Sequence, residues 1–202
     1  MRAVESLTST PSHAWGRRGG VDGETMVTLN LALVGCGGMG LRHMYGLIEL
    51  RKHFDSFRLV AVCDWNESAA EHVAGIADRG LGERPATFSD FGTMLSAVDS
   101  LDAVDVAADT ASHHTIAEAA LRAGLHVIVE KPMGVPLKAC RRMHGAAAST
   151  GRTLAIAENY RRDPLCRLAK ALLDAGVIGE PRLALDVSVG GGDSLMHNTS
   201  WR

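Results

Sequence analysis

The chain has 202 residues, 46% of them hydrophobic and 22% charged, a globular balance that excludes wholesale disorder and fibrous repeats. With 21 Lys and Arg against 23 Asp and Glu the formal charge is −2, which gives no footprint for nucleic acid and no polybasic patch for a membrane surface. Aromatics at 4% are too few for a base-stacking surface, and the length fits one large domain or one domain plus part of another.

No apolar run approaches the ~18–20 residues that a membrane span needs. The four cysteines, Cys36, Cys63, Cys140 and Cys166, form no CxxC pair. Neither a disulfide framework nor a metal site is expected, and the expected compartment is a reducing cytoplasm.

Residues 1–27 read as a disordered leader, with Ser, Thr, Pro and Gly and no periodic apolar pattern. Glu5, Asp22 and Glu24 argue against a transit peptide, and no apolar core of a secretory signal is present. Met26 is a second candidate start. From residue 28 short apolar runs alternate with helical patterns. Strands are expected at Leu29–Val34, Arg58–Cys63, Ala86–Phe88, Ala103–Ala107, His126–Val129 and Thr153–Ala157. Helices are expected near 38–51, 67–78, 89–98, 113–123 and 136–149, capped by Asn66, by Ser89 or Asp90, and by Ser112, with Gly124 stopping the fourth. Strands that are apolar throughout are buried on both faces; Asp105 is the one charge that breaks this pattern. Alternation with helices means right-handed crossovers and a parallel sheet, so residues 28–158 are expected to form an open, doubly wound α/β domain.

The pattern changes after 158. Leu165, Leu168, Ala169 and Leu172 share one face of a helix expected over 161–175. Gly176 and Gly179-Glu180-Pro181 end it, and Arg182–Val189 reads as a strand broken by Gly190-Gly191-Gly192.

Four places carry candidate chemistry. Gly35, Gly37 and Gly40 fill a G-x-G-x-x-G spacing that directly follows the first strand and opens the first helix, with Gly38 and Met39 between them. Such a loop turns tightly, lets a pyrophosphate approach the backbone and points a helix N-terminus at it, which indicates a dinucleotide site. Asp64 ends the second strand, where a carboxylate accepts hydrogen bonds from the adenosine ribose hydroxyls and repels a 2′-phosphate. Trp65 and Asn66 follow, with no Arg to receive that phosphate, so NAD is favoured over NADP; a plain turn or cap is the alternative role for Asp64. Glu130-Lys131-Pro132 ends the fifth strand, and a lysine at the carboxyl edge can move a proton to or from a substrate hydroxyl; a surface ion pair is the bland alternative. Asp109-Thr110 with His113-His114 follows the fourth strand. Thr110 and His113 are candidates for the ribose or nicotinamide side, against a capping turn with exposed histidines. The other histidines, His43 among them, read as surface or satisfied core residues, and Met39, Met44, Met94 and Met143 as packing residues.

Together these residues resemble the Gfo/Idh/MocA family of NAD(P)-dependent oxidoreductases. The likeness is carried by Leu31-Ala32-Leu33-Val34-Gly35-Cys36-Gly37-Gly38-Met39-Gly40, by Ala123-Gly124-Leu125-His126-Val127-Ile128-Val129-Glu130-Lys131-Pro132, and by Glu158-Asn159-Tyr160-Arg161 and Gly176-Val177-Ile178-Gly179-Glu180-Pro181. The resemblance implies a Rossmann domain over 28–158, a catalytic Lys131 with Glu130 beside the cofactor, His113 near the nicotinamide and Asn159 after the sixth strand. Ala108-Asp109-Thr110 stands where the family has Thr-Pro-Asn. It also implies that 159–202 begin an α+β substrate domain of which only the first helix and strand are present. The expected activity is hydride transfer between NAD and a hydroxyl-bearing carbon of a sugar, polyol or derivative, with the chain as given inactive or nearly so. A homo-oligomer or a complementary C-terminal fragment is the expected macromolecular partner. The alternatives are a non-catalytic NAD(P)-binding module that senses cofactor or docks on a partner, and another two-domain reductase sharing the nucleotide fold.

Overall fold

In the computed structural model of the chain, residues 28–185 and 187 are described. The leader expected over 1–27 lies outside them. Six strands form one sheet: β1 (Leu29–Val34), β2 (Phe57–Cys63), β3 (Ala86–Phe88), β4 (Ala103–Val106), β5 (His126–Val129) and β6 (Leu154–Ile156). Their order is β3-β2-β1-β4-β5-β6 and every pairing is parallel. The chain winds one way from β1 to β3 and the other way from β4 to β6, so the direction reverses between β1 and β4. This is the doubly wound, Rossmann-like architecture read from the alternation of elements.

Five helices cross over between the strands: α1 (Gly38–Arg51), α2 (Glu67–Leu81), α3 (Phe91–Ala97), α4 (His113–Arg122) and α5 (Leu137–Thr150). The two-residue period of the strands divides the core. Ala32, Val34, Val104, Val106, Val127 and Val129 pack against Met94, Ala117, Leu121 and Met143 on one side of the sheet. Leu33, Leu59 and Val62 pack against Met44 of α1 and Val73, Ala74 and Ala77 of α2 on the other. Continuous apolar strands were legible because both faces are covered in this way.

Several boundaries differ from expectation for physical reasons. Helix α2 runs on to Leu81 because Gly80 is tolerated inside it, where a Cβ would strike Ile48 of α1. It stops at Gly82, which takes the left-handed conformation (φ 77°). Asn66 and Asp90 cap α2 and α3 as expected, accepting from the backbone N–H of Ala69 and Thr93. Ser112 does not cap α4; it is already helical, and its hydroxyl donates to Asp109 at 2.6 Å. The helix expected from 161 begins at Pro164, as α6 (Pro164–Asp174), after a separate 3-10 turn at Asn159–Arg161. Proline disfavours helical geometry in the residue before it, so Asp163 stays extended and caps the new helix through Cys166 N–H. The apolar face of α6 is open to solvent, Leu165 being 75% exposed and Leu168 56%. Residues 181–185 and 187 form no strand; Leu183, Leu185 and Val187 are exposed, and the rest of the strand expected over 182–189 lies outside the described residues. Among the described residues no helix is long and apolar enough to cross a membrane.

Candidate functional site

The carboxyl ends of the parallel strands share one edge, where open α/β sheets bind ligands at the reversal of strand order. β1 delivers the glycine loop there. Gly35 sits at φ 94°, and a Cβ on it would overlap the backbone of Ala107 and Ala108 beyond β4. A Cβ on Gly40 would overlap the carbonyl of Gly35. These two glycines pack backbone on backbone and set the turn. Gly37 and Gly38 have nothing within 4 Å of an added Cβ, so the loop presents a bare, open cradle. The N-terminus of α1 above it has no side-chain cap and no acidic residue in its first turn. Unclaimed N–H groups and the positive end of the helix dipole therefore face the cradle, which fits a pyrophosphate. Met39, expected to pack, is 39% exposed because it lies in the first turn, beyond the sheet edge.

Asp64 follows β2 and is tied to this loop. Its Oδ2 accepts from Cys36 N–H at 2.7 Å and its Oδ1 from Asn66 N–H at 2.8 Å. Each carboxylate oxygen keeps a second lone pair, so the side chain holds the loop and can still accept from ribose hydroxyls. Trp65 beside it is 86% exposed. Cys36 and Cys63 flank this corner, buried. Burial first and then nearby Asp64 push the Cys36 thiol up to about 12; burial first, then Asp90 and Asp64, push Cys63 up to about 11. Neither is a thiolate at neutral pH, so neither serves as a nucleophile.

Beyond β4, Asp109 organises a turn, accepting from Ala111 N–H at 3.0 Å, Ser112 N–H at 3.2 Å and the Ser112 hydroxyl. The Ser112 hydroxyl bond, above all, holds its carboxyl below the usual carboxylate range. Thr110 lies half-buried in this turn. His113 is not the exposed histidine of a plain capping turn. It is buried, with Nδ1 3.0 Å from the carbonyl oxygen of Pro132 and Nε2 3.0 Å from that of Ala108. It therefore clamps the turn after β4 to the turn after β5.

Glu130, Lys131 and Pro132 follow β5, with the Lys131–Pro132 peptide cis. Glu130 is buried and its Oε2 accepts from Lys131 N–H at 2.8 Å, while the Lys131 side chain is exposed. Asn159, after β6, is exposed at the start of the 3-10 turn that Glu158 caps.

The sequence reading missed His43. From the second turn of α1 it reaches Asp105 of β4, with Nδ1 donating at 2.8 Å to Oδ2 and 2.9 Å to Oδ1. Its Nε2 donates to Glu130 Oε1 at 3.2 Å. The hydrogen bond to Asp105 above all, with Glu130 adding to it, raises the imidazole to about 9 against the opposing effect of burial. The signal was Asp105 itself: a charge in a strand covered on both faces needs a buried partner. Among the described residues no group of His, Cys, Asp or Glu is arranged to hold a metal ion. An open groove of about 520 Å³ runs along β6 and α5, and neither the glycine loop at 35–40, nor Asp64, nor Lys131 lines it.

Residues 29–158 match the Gfo/Idh/MocA family, an oxidoreductase family with an NAD-binding Rossmann fold. D-apiose dehydrogenase from Paraburkholderia graminis is 33% identical over 153 residues, 74% of this chain and 37% of that protein. Inositol 2-dehydrogenase 2 from Saccharopolyspora erythraea is 37% identical over 155 residues, 76% of this chain and 43% of that protein. In structure, scyllo-inositol dehydrogenase from Lactobacillus casei with bound NAD(H) and scyllo-inositol superposes with a TM-score of 0.66 at 27% identity. The match covers 76% of this chain and 43% of that one. The chain thus spans less than half the length of these relatives. All three are named as dehydrogenases.

Proposed function

The chain belongs to the Gfo/Idh/MocA oxidoreductase family, and we propose that it forms the cofactor half of a dehydrogenase that moves hydride between NAD and a hydroxyl-bearing carbon of a sugar, polyol or derivative. The observation that carries this is the open glycine cradle, with Asp64 tied to it, on the same sheet edge as Lys131. Gly37, Gly38, Met39 and Gly40 receive the pyrophosphate on backbone N–H groups, while Gly35, whose N–H is held by Cys63 O, sets the turn. Asp64 accepts from the ribose and, with Trp65 and Asn66 beside it, disfavours a 2′-phosphate. Thr110, His113, Glu130, Lys131 and Asn159 form or support the nicotinamide side. When bound, the nicotinamide supplies the hydride chemistry. Lys131 Nζ holds the proton that leaves or joins the substrate oxygen. The inositol and apiose named by the relatives motivate the substrate class.

Two substitutions test these roles. Asp64→Ser keeps a small hydrogen-bonding side chain but removes the charge. NADH affinity, read by fluorescence titration, is expected to fall about tenfold while NADPH affinity rises; unchanged selectivity would remove Asp64 from cofactor choice. Lys131→Ala is expected to leave NADH binding within about twofold and to lower NAD reduction by a polyol at least about a hundredfold. Equal turnover in both proteins would take Lys131 out of the proton path. The exposed apolar face of α6 is proposed to be covered by a second copy or a complementary chain. A strict monomer in sedimentation velocity would dismiss the second copy.

A further inference from the structure

Asp105 lies on the face of β4 opposite to Val104 and Val106, toward the layer of α1 and α2, and is 6% exposed. His43 meets it there with one ring nitrogen and turns the other to Glu130. Both partners are carboxylates, which accept only, so the ring donates from both nitrogens. Glu130 divides its own oxygens: Oε1 accepts from His43 and Oε2 from Lys131 N–H. One run of hydrogen bonds therefore passes from Asp105 through His43 and Glu130 to the Lys131 main chain. It starts on β4, passes through the helix that the glycine loop opens, and ends at the residue that carries the amine.

We infer that His43 is a positioning residue of the cofactor site, fixing the Glu130 carboxylate and through it the Lys131 main chain in register with the glycine loop. The purpose assigned to this chain of bonds rests on the cofactor reading above; the bonds themselves do not. Asp105 occupies Nδ1 alone, and the Nε2 arm reaches the turn after β5. The charged groups facing the ring are Asp105 from β4 and Glu130 from the turn after β5.

The test uses the ¹⁵N-labelled 202-residue chain. At about pH 7 both ring nitrogens of His43 are expected to give imidazolium shifts; a neutral tautomer overturns the inference. In His43→Gln the Lys131 amide is expected to exchange with solvent about tenfold faster or more, while the Val62 amide in the sheet interior keeps its protection. Unchanged exchange at Lys131 in a folded variant also overturns it. Should Val62 lose protection as well, the ring spectrum of the wild type and Lys131 exchange in Glu130→Gln decide. NADH titration of the same proteins separates the two readings. A wild type that does not bind contradicts the cofactor reading and leaves the exchange data to judge the bonds. A His43→Gln chain that binds as tightly as wild type despite a loosened Lys131 contradicts the link to the cofactor.

Discussion

Gly40→Ala is expected to destabilise the chain by about 3 kcal/mol or more and to abolish NADH binding at millimolar cofactor. The Cβ it adds would overlap the carbonyl oxygen and carbon of Gly35. The obstacle is main chain, so no side-chain rotation relieves it. Gly35 cannot yield either: it is held at φ 94° and its N–H donates to Cys63 O at 2.8 Å. The loop must therefore lift from α1, which carries the unclaimed N–H groups out of the cradle. Gly37→Ala, whose Cβ meets nothing within 4 Å, is the informative contrast. It is expected to leave folding within about 1 kcal/mol while weakening NADH binding, because the methyl group occupies cradle space. Chemical denaturation and NADH titration of both proteins check this. Equal melting of Gly40→Ala and wild type would show that the helix is not seated on the loop as described.

His43→Leu is expected to cost about 3 kcal/mol near neutral pH, since it leaves two buried carboxylates facing each other without their shared cation. The sign of the pH dependence follows from the direction of the shift. His43 is raised from 6.5 to about 9 in the folded chain, so its contribution is fully present below about pH 6.5 and is lost as pH rises through about 9. With the ring side chain 16% exposed and partly screened, this pH-dependent share is about 2 kcal/mol. Urea denaturation at a series of pH values should show wild type and variant converging between pH 6.5 and 9.5. A constant gap across that range would mean that the ring is neutral and only packs.

The parts of the fold that were legible in the sequence were those in which local pattern and tertiary burial agree. β1, β3 and β5 have their expected bounds because apolar runs end where the sheet ends. The glycine loop was legible because Gly35 and Gly40 have steric reasons that the spacing encodes. The family likeness reached Lys131 and Glu130 through the segment that ends β5. What stayed hidden depended on contacts between residues far apart in the chain. His43 and Asp105 are 62 positions apart, and only the alternation of β4 and the seating of α1 bring them together. His113 reaches Pro132, 19 positions on, which no local pattern near Ser112 announces. Met39, read as a packing residue as well as a loop residue, is 39% exposed because it lies in the first turn of α1.

The central claim is that the carboxyl edge from Gly35 to Lys131 holds NAD(H). NADH fluorescence titration of the 202-residue chain, with NADPH alongside, tests it most directly. Saturable NADH binding at sub-millimolar concentration, tighter than NADPH and lost in Gly40→Ala, is the expected result. No saturation up to millimolar NADH with a cooperatively folded chain would contradict it.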